Sequence, residues 1–205
     1  MTDLKAVDGQ PLCPEAERML EYLRSRSAEL DLAGVRERIR AATLELEKLI
    51  DAVPESDVRR RPVSGKWNIA EVVDHIAQTQ IRAAEELRHL FAGRRPPGPP
   101  VYEALRTGAP AWAPWQELVD GLRSANQELI AVLNEAPGQT EKSGALVLTI
   151  LVVNYALPDG GTGTQIFPAD VDWKQYALLQ RLHLLDHRTQ VKKLKEALAS
   201  SAAAS

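Results

Sequence analysis

The chain has 205 residues, enough for one domain with decorations, and its 44% hydrophobic and 26% charged content is that of an ordinary globular protein. A net charge of -3 and a pI near 5.9 leave no basic excess of the kind a nucleic-acid binder carries. One cysteine, Cys13, permits no internal disulfide and suits a reducing compartment.

The N-terminus, MTDLKAVDGQ, has neither the basic start nor the apolar core of a signal peptide. The longest uncharged stretch, Ser143 to Pro158, is too short to span a bilayer and is broken by β-branched residues. A cytoplasmic protein without membrane or nucleic-acid partners is expected.

The first predicted helix runs from about Pro14 to Leu30, with proline suited to a first helical turn and Met19, Leu20 and Leu23 in one stripe. The second runs from about Leu32 to Val53. Its Val35, Ile39, Ala42, Leu46, Leu49 and Ile50 recur at three- and four-residue spacing, and Pro54 closes it. The third starts on Asn68, an N-cap with Glu71 three residues on. Val72, Ile76, Ile81, Ala84, Leu87 and Leu90 carry its apolar face to about Phe91.

Residues 93–111 read as a proline-stiffened loop, either a functional segment or a solvated spacer. A fourth helix follows from about Pro114 to Glu135, ended by Pro137 and Gly138. Ala145 to Tyr155 is rich in β-branched residues, Asp159-Gly160-Gly161 is a turn signal, and Thr162 to Phe167 reads as a return strand. A small hairpin is expected there, with a buried helix over 144–156 as the alternative. The last helix runs from about Val171 to Leu198, capped by Asp170 or Asp172, and the Ala/Ser tail frays.

These spans predict an all-α fold, a four-helix bundle with an extra N-terminal helix and a small β-hairpin insert. Residues 1–32 form an N-terminal extension, 33–198 the bundle and 199–205 a flexible tail. The loops at 93–111 and 137–170 exceed what a plain up-down-up-down bundle needs and leave room for crossovers.

Four histidines are present. His183 and His187 stand four apart on the last helix, about 40° apart around its axis, so both rings leave the same face. One helix can thereby give two ligands to one metal, although a solvated face explains the pair equally well. His75, beside Val72 and Ile76, reads by itself as a hydrogen-bonded structural residue or as a ligand. His89, near a helix end, suits a dipole or surface role.

The segments GKWNIAEVVDHIAQ (65–78) and HLLDHRTQ (183–190) resemble the DinB/YfiT-like superfamily. There a tryptophan and a polar cap precede the second bundle helix, a histidine follows within two turns, and the last helix carries two histidines four apart and then a glutamine. Trp67, Asn68 and His75, then His183, His187 and Gln190, fill those places. The resemblance spans roughly residues 33–198.

It implies an antiparallel four-helix bundle with a crossover, often dimeric, whose three histidines hold nickel, zinc or iron near one end. It also implies activities such as thiol S-transfer or thiol-dependent isomerisation with bacillithiol or mycothiol. The extra N-terminal helix and the apolar insert before the last helix depart from the family pattern, and either can cover the metal mouth.

A three-histidine site leaves coordination positions open, as catalytic sites do. A water or thiol there gives a nucleophile at neutral pH. Around such a site Gln190 and Tyr176 share the face of His183, Asp186 adjoins His187, Gln78 and Thr79 lie a turn beyond His75, and Trp67 lines the pocket or anchors the core. Polar residues near a site often only orient its ligands. The expected function is a metal-dependent thiol S-transferase or small-molecule hydrolase, using a low-molecular-weight thiol in the first case and assembling as a homodimer. The alternative is a non-enzymatic stress or interaction protein with a vestigial site.

Overall fold

The computed structural model describes residues 5–136 and 143–203. It contains α1 (Pro14–Glu29), α2 (Leu32–Asp51), α3 (Ile69–Phe91), α4 (Trp115–Asn134), strands β1 (Val147–Ala156) and β2 (Thr162–Val171), and α5 (Trp173–Ala203). Single 3₁₀ turns occupy Glu55–Asp57 and Ala109–Ala111. The expected stop of α4 at Pro137 and Gly138 lies outside the described residues.

Capping explains most of the helix starts. Asp31 accepts the Gly34 N–H at the head of α2. Asn68 and Glu71 form a reciprocal capping box at the head of α3, as their spacing predicts. A second such box holds α5: Asp172 accepts the Gln175 N–H, and the Gln175 side chain accepts the Asp172 N–H. Asp172 is therefore the cap, and Asp170 pairs with Arg95 instead. At its other end α5 runs past Leu198 to Ala203, where fraying was expected. Alanine favours the helix, and the Ser200 and Ser201 hydroxyls bond back to the carbonyls of Glu196 and Ala197.

Cross-links between helices fix their directions. Arg188 pairs with Glu45 and Lys195 donates to the Ala52 carbonyl, so α2 and α5 run parallel. Arg88 pairs with Glu128, while Arg59, just before α3, donates to the Pro110 and Ala113 carbonyls just before α4. Hence α3 and α4 are also parallel. Asp51–Arg123 and Glu47–Asn126 run in opposite order, which sets the two parallel pairs antiparallel to one another.

Each of α2 and α3 packs on both α4 and α5. Chain neighbours α2 and α3 therefore lie diagonally across the bundle, as do α4 and α5. The length of segment 93–111 leaves room for a crossover, and the segment makes one, joining two parallel helices. It returns the chain along the length of α3, about 34 Å at 1.5 Å per residue, so that α4 can start beside the start of α3.

The core is one cluster, with Ile39, Leu46, Ile76, Leu87, Leu122 and Leu129 fully enclosed. Ile81 does not join it and stands half exposed. The inward position between Ile76 and Ala83 falls to Gln80, which is fully buried.

The insert is a hairpin, so the fold is mostly helical rather than all-α. Its antiparallel register runs from Val147↔Val171 to Ala156↔Thr162. Val147, Leu151, Val153, Phe167, Ala169 and Val171 face the core, and Val152 and Ile166 face out. The second strand extends beyond Phe167 through Pro168, which a two-stranded sheet tolerates because every strand is an edge. Gly163 lies under the ring of Tyr155, where a Cβ would come within 2.5 Å of it.

The N-terminal segment belongs to the same packing unit. Gln165 accepts the Cys13 N–H and donates to the Pro11 carbonyl. Ala16 and Leu20 of α1 join the main core, and Arg181 of α5 reaches the Tyr22 hydroxyl. Among the described residues no helix is long and apolar enough to cross a membrane.

Candidate metal centre

His75 projects from the second turn of α3, and His183 and His187 from the middle of α5. The Nε2 atoms of His75 and His187 each lie 3.0 Å from Nε2 of His183. All three ligand atoms fall within 4.8 Å of one another. His75 and His187 are buried, and His183 is half-buried.

Hydrogen bonds on the far side of two rings fix their tautomers. His75 donates Nδ1–H to the Leu105 carbonyl at 2.8 Å. His187 donates Nδ1–H to Oε1 of Gln190 at 2.7 Å. In the neutral rings both Nε2 atoms then carry lone pairs, and both aim at Nε2 of His183. That nitrogen has one hydrogen at most and can satisfy only one of them well. At least one 3.0 Å approach therefore sets lone pair against lone pair, a repulsion that a central cation removes.

A tetrahedral zinc with bonds of about 2.0–2.1 Å would hold its nitrogens roughly 3.3 Å apart, close to the two 3.0 Å separations at His183. The buried Nδ1 of His183 has no hydrogen-bond partner among the described residues. It is the one ring not oriented from behind.

Electrostatics point the same way. Burial pushes the His75 imidazole down to about 4; the Leu105 carbonyl opposes this, and His187 and Arg106 add to it. Burial, with the neighbouring His187 and His75, holds His183 well below the ordinary histidine range. Burial also lowers His187, against the pull of Gln190 and Asp186. The rings are neutral at pH 7, the form a metal requires.

The remaining sequence candidates separate. Trp67 adjoins the cluster, its ring 5.0 Å from that of His75 and 6.3 Å from that of His187. Gln190 touches His187 directly. Asp186 is exposed and reaches His187 through its charge. Thr79 bonds back to the His75 carbonyl within its own helix and so orients backbone, not the ring. Tyr176 is not at the cluster. Its hydroxyl donates to Glu86, and burial together with that carboxylate pushes it well above the ordinary tyrosine range.

Sequence reasoning missed the strap over the site. Asp74, buried beside His75, accepts two bonds from Thr107: backbone N–H at 2.6 Å and hydroxyl at 2.8 Å. With the Leu105 carbonyl on His75, residues 105–107 are pinned to the head of α3. Arg106 lies between the pins, its Cζ 5.0 Å from the centre of the Trp67 ring. The only local signal was a charged residue at an inward helical position next to the histidine.

Residues 38–145 match the DinB superfamily, and with over half of its length matched the chain belongs to that family. Solved structures that share the fold include two of known description. One is a mycothiol-dependent maleylpyruvate isomerase, 13% identical with a TM-score of 0.56 over 80% of this chain. This chain spans 61% of the isomerase's length. The other is YfiT from Bacillus subtilis, described as a probable metal-dependent hydrolase with an unusual four-helix bundle topology. It is 14% identical, with a TM-score of 0.53 over 82% of this chain and 87% of its own. No curated protein sequence matches the chain.

Proposed function

We propose that His75, His183 and His187 bind one divalent ion, nickel, zinc or iron, and that the protein is a metal-dependent enzyme acting on a small molecule, with thiol S-transfer as the leading reaction. The observation that carries this reading is the convergence of three Nε2 atoms, two of them left with lone pairs by the acceptors behind their rings. Bound there, a metal ion would supply a Lewis acid that deprotonates a thiol or lowers the pKa of a water.

The carboxylates beside the cluster favour the thiol. Asp74 is occupied by Thr107, and Glu71 by Arg61 and the Asn68 N–H. Among the described residues the other carboxylate near the cluster, Asp186, is exposed and acts on His187 through its charge, so neither Asp74 nor Glu71 is free to serve as the general base that hydrolysis commonly uses. A thiol needs only the ion to lose its proton. The fold shared with a mycothiol-dependent isomerase agrees with this choice, and the fold shared with YfiT keeps hydrolysis as the second reading.

The test is a screen of the nickel-, zinc- and iron-loaded protein against mycothiol and bacillithiol with electrophilic acceptors. Turnover that disappears in His183→Ala supports the proposal. Stoichiometric metal without turnover of any thiol conjugate, together with hydrolysis of a small ester or amide, would replace transfer with hydrolysis. Metal without turnover of either kind would favour a non-enzymatic role.

A further inference from the structure

Arg106 is the unexplained charge of the site. It is exposed, and no carboxylate lies in ion-pair range of it among the described residues. Glu71, whose carboxyl feels its charge, is already bonded to Arg61 and to the Asn68 N–H. An unpaired surface arginine is ordinarily a mobile one. Here its two chain neighbours are tied down: the Leu105 carbonyl accepts from His75, and Thr107 is bonded twice to Asp74.

The guanidinium rests over Trp67, whose ring also borders His75 and His187. Stacking on a ring face leaves the N–H edge of a guanidinium available, and that edge matches the two oxygens of a carboxylate. We infer that Arg106 is the residue that binds the substrate's acid group, so that the substrate, or the thiol acting on it, is a small carboxylate gripped at one end by Arg106 while its reacting end lies at the three histidines. A phosphate dianion fits less well, because one cation faces it and the acids Glu71 and Asp74 stand nearby.

This inference rests on the metal-site reading, and its test separates the two. Cobalt(II)-loaded protein is titrated with 3-mercaptopropionate and with its neutral amide, following the sulfur-to-cobalt charge-transfer band. The acid is expected to bind about 10- to 100-fold more tightly than the amide. Arg106→Gln should erase that preference while leaving amide affinity and the cobalt d–d spectrum unchanged, and Arg106→Lys should keep part of it. Equal affinities in the wild type, or a preference that survives in Arg106→Gln, overturns the inference. Inorganic phosphate that competes better than propionate overturns it too.

If the protein takes up no cobalt, the metal reading falls and the acid site is judged alone. The indole N–H resonance of Trp67, assigned by its loss in Trp67→Phe, is followed in metal-free protein during titration with succinate. A saturable shift that Arg106→Gln abolishes supports the site, and no shift in the wild type removes it.

Discussion

Two hydrogen bonds decide which nitrogen His75 and His187 present to the centre. Gln190 supplies one of them, and groups that orient ligands from behind typically govern about 10–100-fold in metal affinity. Gln190→Leu should therefore weaken zinc or nickel binding by about that factor, read by competition with a chelating dye, with the helical circular dichroism unchanged. Gln80 illustrates the opposite situation. Its side chain is fully enclosed, and neither amide atom finds a partner among the described residues. A buried unpaired polar group costs about 1–3 kcal/mol, so Gln80→Met should raise stability by about 1 kcal/mol in urea unfolding. A fall in stability would show that the amide has a use. At this scale the sequence was legible for the His183/His187 pair and for Gln190, because their spacing is set within one helix. His75 was placed by resemblance to a family. Tyr176 was misplaced for a simple reason: sharing a helix face seven residues away also means lying about 10 Å further along the axis, beside Glu86.

Helices α2, α3 and α4 were legible within a residue or two, since caps and apolar periodicity are local. The route of 93–111 was not, because it follows from α3 and α4 being parallel, which no local pattern encodes. Its function as a strap also depends on contacts made about thirty residues apart. The Asp74 carboxylate anchors it through two bonds, and bonds to a charged group contribute about 1.5–3 kcal/mol. Asp74→Ala should lower stability by about 2 kcal/mol and speed hydrogen exchange at Leu105 to Thr107. It should also weaken metal binding, because His75 loses a fixed acceptor. Unchanged exchange in that segment would mean the strap is held by something else. The last helix was legible in its histidines and, within two residues, in its start, which Asp172 caps, but not in its C-terminal end, which runs past Leu198 to Ala203.

For the whole molecule, three neutral imidazoles, two buried and one half-buried, make stability depend on pH. In the folded state their proton affinities are lowered, His75 to about 4, whereas in the unfolded chain each titrates near 6.5. Above that value neither state is protonated and the histidines contribute no pH dependence. As pH falls from about 6.5 towards 4, the unfolded chain takes up protons that the folded chain refuses, so metal-free protein should lose stability across this window. A Tm that holds or rises between pH 7 and pH 5 would show that the rings are not buried neutral. If metal binds the folded state through the same nitrogens, as proposed, the Tm gain on adding nickel or zinc should be large at pH 7.5 and shrink as protons compete at pH 5.

All three scales rest on the claim that His75, His183 and His187 hold one metal ion. Metal stoichiometry after loading with zinc or nickel and exhaustive dialysis tests it most directly, in the wild type and in His183→Ala, the ring at the centre of both 3.0 Å contacts. One ion per chain in the wild type and none in the variant is the predicted result. No retained ion in the wild type, or a full ion retained by His183→Ala, would contradict it.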